Sequence, residues 1–259
     1  MDLQLLPIDK FQSFLVCAAR VSGFVGAIPI LFGTQTLVMF KAGLAVMISL
    51  VLFPIMAPFI PNTPFQPVSF LFLVIAEALV GLILGLMARL IFTAVEFGGT
   101  VIGYQMGFAA ANVFDPQNQR QTSLVSEFQN VFAILLFLAL NIHHIFIRAA
   151  VTSYKLLPPG KLDLSHAAVP YLIELSSKMF SLSLQFSAPV LAILLLSGLI
   201  LGILARSFPQ LNVFLLSFPL NIGISFIVIG LTLDIVSILL RREFGSFPER
   251  INTLIHLLN

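Results

Sequence analysis

The sequence predicts an all-α, polytopic membrane protein of about six long helices, several of them broken or kinked, with the last two forming a helical hairpin. Two observations carry that reading. The 259 residues are 59% hydrophobic and only 9% charged, far outside the range of soluble globular chains. The uncharged runs Ala42 to Ala76, Phe128 to Ile147, Met179 to Ala205 and Ser207 to Leu233 each reach the roughly 20 residues that a helix needs to cross a bilayer core. The amino terminus, Met1-Asp2-Leu3-Gln4, shows no basic leader and no small-residue cleavage site, so no removable signal peptide is expected. A net charge of +2 gives no argument for nucleic acid. The single cysteine, Cys17, excludes an intrachain disulfide. With 26 Phe, no Trp and three Tyr, the chain lacks the usual interfacial aromatic belts, which suggests a surface that faces protein more than headgroups.

Helix one, Phe11 to Leu31, contains Arg20, Gly23, Gly26 and Pro29. An isolated cation at the bilayer centre is costly, so Arg20 either pairs within an assembly or snorkels to an interface. Helix two, Lys41 to Ile60, is interrupted towards its end by Pro54 and Pro58, and the prolines at 58, 61, 64 and 67 predict an extended turn. Helix three, Val68 to Phe97, is too long for one perpendicular span. Gly81 and Gly85 share a face that allows close helix contact. Arg89 and Glu96 lie nearly on one face but about 10 Å apart along the axis, too far for a direct pair. They and Glu77 therefore look to neighbouring helices, with a structural ion pair preferred over a proton relay.

The stretch Gly98 to Gln121 breaks the apolar pattern. It carries Gly99, Gly103 and Gly107 at every fourth residue, Tyr104, Met106, Phe108 and Phe114, and closes with the turn signal Asp115-Pro116 and a polar run. Non-helical backbone at membrane depth persists only where it is buried in protein or lines a cavity. This segment is either the working part of a pore or binding site, or a plain interhelical loop. Helix four begins after Thr122 or Ser123, either of which can cap it, and runs to Arg148. Its adjacent His143 and His144 point to different sides, a poor arrangement for joint metal ligation.

The link from Tyr154 to Pro170 is turn-rich. A hairpin follows, with arms Tyr171 to Arg206 and Val213 to Leu240 joined at Pro209, Gln210, Leu211 and Asn212. Gly198, Gly202 and Arg206 form one stripe on the first arm, and Asp234 is a charge within the second. Residues 243–259 read as an amphipathic tail. No phosphate-binding loop, zinc-protease motif, nucleophile elbow or cluster of metal ligands is present in the sequence, so neither an enzyme nor a cofactor or metal protein is expected.

Taken in order, Arg20 with Pro29, the run Ile102-Gly103-Tyr104-Gln105-Met106-Gly107 with Asp115-Pro116, Asn141 with His143, and Arg206-Ser207-Phe208-Pro209-Gln210-Leu211-Asn212-Val213-Phe214 followed by Phe218-Pro219 resemble the FliR family. That family is the R subunit of the flagellar type III secretion export gate. The resemblance covers nearly the whole chain, with one departure at Ile142, where glycine is common in the family. It implies a single gate subunit in the bacterial inner membrane at the flagellar basal body. Residues 1–167 would be a P-like part with a plug loop at about 98–122, and residues 168–242 a Q-like hairpin. The implied partners are the P and Q subunits, the B subunit of the export apparatus, membrane lipid, and the unfolded flagellar proteins that pass through. Met106, Phe108 and Phe114 would close the channel, Gly103 and Gly107 would allow the bend, and the hairpin tip would face the cytoplasm.

The charge count conflicts with that orientation. Lys10, Lys155, Lys161, Arg241, Arg242 and Arg250 on one side, against Lys41, Arg120 and Arg206 on the other, put both termini in the cytoplasm if six helices cross. The resemblance is followed, because helices packed in a multisubunit gate need not be simple spans. A secondary transporter with a midplane site at broken helices is the alternative, and a structural membrane scaffold is a third reading.

Overall fold

The computed structural model describes residues 8–27, 37–60, 66–107, 123–162, 167–210 and 212–258. Among them the chain forms α1 (Ile8–Ala27), α2 (Val38–Met56) with a 3-10 turn at Ala57–Phe59, α3 (Pro67–Gln105), α4 (Leu124–Ala139), α5 (Ile142–Leu156), α6 (Ala168–Ser207), α7 (Val213–Gly245) and α8 (Phe247–Leu257). No strand occurs among the described residues. Four helices are long and apolar enough to cross a membrane, or five if α4 and α5 form one broken span. About six were expected, and α1 is the one that falls short: Asp9, Lys10 and Arg20 interrupt its 20 residues. At about 1.5 Å per residue, the 40-residue α6 is roughly 60 Å long, twice the hydrocarbon thickness of about 30 Å.

Local chemistry explains the boundaries. Ser123 begins α4 in extended conformation and its hydroxyl accepts from the Val125 N–H at 3.3 Å, the cap that the sequence led us to expect. The single long helix expected from Ser123 to Arg148 is instead two. Asn141, with φ of 55°, stands between α4 and α5. Asparagine tolerates the left-handed region better than other side chains, so it takes the bend that a neighbouring glycine would otherwise supply. Pro54 lies within α2 one turn before the helix tightens into the 3-10 turn, and Pro189 and Pro219 lie inside α6 and α7 without ending them.

The chain divides into two interleaved compact units. The first comprises Met1–Leu90, Asn141–Ser176 and Gly245–Asn259, the second Ile91–Leu140 and Ser177–Phe244. This is a division by compactness, whereas the expected sequential one into 1–167, 168–242 and 243–259 concerns internal resemblance.

In the first unit, Val16, Cys17, Val21 and Phe24 of α1 are buried together with Val80 and Leu84 of α3, and Phe146 and Tyr154 of α5. The tail is part of this core. Phe247, Ile251, Leu254 and Ile255 of α8 are all buried, and the Phe247 ring stacks on Phe146 at 4.0 Å. Gly23, Gly81 and Gly85 bring α1 and α3 together backbone to backbone. A methyl group on Gly81 would run into the Arg20 carbonyl, and one on Gly23 would lie 2.5 Å from that of Ala78. In the second unit Phe92, Phe137 and Phe244, from α3, α4 and α7, form a triangle of rings at 5.4–5.7 Å. Phenylalanine suits such a centre because it fills volume with no polar tip to satisfy.

Gly198 and Gly202 are different: both are exposed, and nothing lies within 4 Å of an added methyl. Gly81→Ala should therefore destabilise the chain by about 1–3 kcal/mol through overpacking, while Gly202→Ala should be neutral or raise stability by up to about 1 kcal/mol through helix propensity. Denaturant unfolding in detergent micelles distinguishes them, and equal effects would contradict the packing described.

Candidate functional site

Two constellations hold the residues singled out by the sequence, one in each unit. In the first unit the centre is Arg20, only 1% exposed. Its Nε donates to Glu77 Oε2 at 2.6 Å, and Nη1 donates to the Leu157 carbonyl at 3.0 Å and Ser153 Oγ at 3.3 Å. The guanidinium carbon lies 4.0 Å from the centre of the Tyr154 ring, a cation–π contact. The Tyr154 hydroxyl in turn donates to the Val16 carbonyl at 3.2 Å. Glu77 Oε1 accepts from the Gly160 N–H at 3.4 Å, and Gly160, with φ of 83°, makes the turn after Pro158-Pro159 that presents it. Arg20 thus pairs inside its own chain, with the carboxylate that lacked a partner in the sequence. The hub ties α1, α3, α5 and the 157–160 turn at one point.

In the second unit the centre is the C-terminal end of α3. The sequence expectation ended this helix near Phe97, but it remains helical through Gln105. The glycines explain why. Positions 98 and 99 face neighbouring backbone and 103 a neighbouring side chain: a methyl on Gly98 would lie 2.8 Å from the Ser183 carbonyl, one on Gly99 2.5 Å from Ser126 Cα, and one on Gly103 would strike the Ser123 hydroxyl. The bare glycine face is filled by the start of α4 and by α6, so helix persists where composition alone suggested a loop. Ser126 Oγ reinforces this contact by donating to the Glu96 carbonyl at 2.9 Å.

Met106 follows the last helical turn and is fully buried among Ile102, Val125, Val190, Leu194, Val228 and Ile229. Gly107 then takes φ of 95°, with the Phe218 ring where a side chain would start. Here glycine is required on two counts, conformation and space. Met106 anchors the chain, Gly107 turns it, and Tyr104 remains 54% exposed. Phe108, Phe114, Asp115 and Pro116 lie outside the described residues.

The remaining expected residues are not drawn together. Arg89, Glu96, Arg206 and Asp234 are exposed on their helices. Pro209, Gln210 and Asn212 at the hairpin tip are exposed, the Asn212 side chain accepting from the Leu215 N–H at 3.3 Å, and Leu211 lies outside the described residues. His143 and His144 have ring centres 4.3 Å apart, and no group of three or more metal-ligating side chains occurs among the described residues. Sequence reasoning missed the parts of Ser126, Ser153 and Tyr154, and, although it expected the turn near Pro158-Pro159-Gly160, missed that the turn meets Arg20 and Glu77. It also missed the Lys178–Glu243 pair at 3.4 Å, whose lysine is half exposed and contributes little.

Residues 11–247 match the family described as bacterial export proteins, family 1. The chain belongs to that family. It is 35% identical to the flagellar biosynthetic protein FliR of Bacillus subtilis (strain 168), over 96% of this chain and 97% of that protein. The flagellar biosynthetic protein FliR of Pectobacterium carotovorum is 34% identical over 76% of this chain and 74% of its own. That of Escherichia coli (strain K12) is 33% identical over 80% and 79%. Within this export family the resemblance expected from the residues alone is therefore met across nearly the full length.

The buried pair yields a direct test. Arg20→Ala or Glu77→Ala alone should cost about 3–5 kcal/mol, because each leaves a buried charge without its counterion, whereas Arg20→Met with Glu77→Leu should recover most of the loss. Unfolding in detergent measures both. Single variants as stable as the parent would show that the pair is not what joins α1 to α3.

Proposed function

We propose that the chain is the R subunit of the flagellar type III export gate, a non-enzymatic channel component. It sits in the bacterial inner membrane at the flagellar basal body and assembles with P and Q subunits. The B subunit of the export apparatus is a further partner, and unfolded flagellar proteins are the cargo. Family membership supports a place in bacterial export, and the named relatives are flagellar biosynthetic proteins. One observation carries the gating role: just after α3, Met106 is locked in an apolar core and Gly107, the last glycine of the stretch, is turned to positive φ ahead of Phe108, Phe114 and Asp115-Pro116.

A passage wide enough for an unfolded chain would leak ions at rest, so a deformable apolar element has to close it, and an apolar constriction does so by dewetting. In this reading residues 108–122 are the closure, with Phe108 and Phe114 as the sealing side chains and Asp115-Pro116 near its end. Met106 belongs to the anchor rather than the seal, because it is enclosed by Ile102, Val125 and Val190. The open stripe of Gly198 and Gly202 and the exposed Arg206 and Asp234 are then available to the unlike subunits.

Deleting residues 108–119 should raise the resting ion conductance of the assembled gate in planar bilayers while the subunits still copurify. Phe108→Ser with Phe114→Ser should act in the same direction and more weakly. A deletion variant that assembles and is as tight as the parent would make the segment an ordinary loop.

A further inference from the structure

The outward side of α3 changes chemistry between its two stretches. In the stretch belonging to the first unit, the outward positions Ile75, Leu79, Leu82 and Leu86 are apolar and 37–54% exposed, with Arg89 as an exposed cation near its end. In the stretch belonging to the second unit, the outward positions recur three or four residues apart as Thr93, Glu96, Thr100 and Tyr104. Phe97 at 44% is an apolar member of this side, and the exposed Gln105, half a turn round from Glu96, lies off it. Packing fixes which way the stripe points, since Ile91, Val95, Ile102 and Met106 on the opposite side are all buried.

The free groups on this stripe are a carboxylate and a phenol. The Thr100 hydroxyl donates to the Glu96 carbonyl at 2.8 Å, the carbonyl that also accepts from Ser126, so the backbone is satisfied and the Glu96 side chain is left to face outward. Among the described residues no ion-pair partner for that carboxylate occurs. A carboxylate held against acyl chains is costly, and ionisable groups in apolar helices mark interior, water-filled or protein-paired faces. A fixed neighbouring helix would have to match a carboxylate and a phenol at once. Water meets both, and so does a passing polypeptide whose side chains change from moment to moment.

We propose that Thr93, Glu96, Thr100 and Tyr104 form a stretch of wall in the aqueous passage taken by the unfolded cargo. This rests on the gate reading and assigns the wall that leads to Gly107. Ile75, Leu79, Leu82 and Leu86 face lipid or an apolar neighbour instead.

The test uses the assembled complex in membrane vesicles with single introduced cysteines. Cys17 is the native cysteine and is fully buried, so the parent provides the background. Glu96→Cys, Thr100→Cys and Tyr104→Cys are treated with a charged, membrane-impermeant methanethiosulfonate supplied to both faces, beside Leu79→Cys and Leu82→Cys as controls. The stripe should be modified about tenfold faster than the controls or more, because thiols in apolar surroundings stay protonated and unreactive. Modification no faster than the controls, in variants that still copurify with unlike subunits and support export, overturns the proposal. So does protection combined with crosslinking to a second chain, which marks a fixed interface. Should Glu96→Cys fail to assemble, Thr100→Cys and Tyr104→Cys decide. Failure of the parent itself to bring unlike subunits would count against the gate reading, separately from the stripe.

Discussion

Backbone-to-backbone approach along α3 is the constraint on which each unit depends. Lipid offers no hydrophobic drive for one helix to prefer another over acyl chains, so close contact has to come from shape. In the first unit, Gly81 and Gly85 let α1 settle onto α3 until carbonyl groups limit the approach. In the second, Gly98, Gly99 and Gly103 do the same for α6 and the start of α4. Removing side chains from these positions converts dispersion over a broad surface into the main cohesive force, and the phenylalanine triangle adds bulk beside it.

Such contact is permissive rather than specific, because a glycine face alone accepts several registers. The Arg20–Glu77 pair supplies the register in the first unit. Both side chains are 1% exposed, and each reaches beyond the other to a carbonyl or an N–H group, so sliding by a turn would orphan two charges. In the second unit the Ser126 bond to the Glu96 carbonyl and the buried Met106 play the corresponding part without charge. The result holds Gly107 in one conformation just past the end of α3.

Much of this was legible in the sequence, for identifiable reasons. Hydropathy gave the helical class, the Ser123 hydroxyl announced the α4 cap, and the spacing of Gly81 and Gly85 announced a close face. What escaped was tertiary. Glycine at 98, 99 and 103 reads as loop by propensity, yet close neighbours at Ser183, Ser126 and Ser123 turn the same residues into a packing surface. Asparagine tolerates positive φ, but Asn141 sits between apolar runs that read as one continuous helix, so hydropathy gave no sign of a break there. The partner of Glu77 lies 57 positions away in sequence, and periodicity within one helix carries no information about it. Gly198 and Gly202 show the converse: the spacing that marks a close face in α3 marks an open one in α6.

Those open faces bear on how the protein works. Exposed Leu195, Leu199 and Ile203 on α6, with Leu231 and Ile238 on α7, form apolar surface suited to lipid or to other membrane helices, while Asp234 and Arg206 stand exposed on the same two helices. Charges on apolar helices call for partners of complementary chemistry, which a chain acting in company with unlike subunits would have. Affinity purification of the tagged chain from its native membranes, followed by native mass spectrometry, tests this most directly. The expected result is this chain in a complex with unlike membrane subunits. Recovery as a stable monomer or as a homo-oligomer, from cells that export normally, would contradict it.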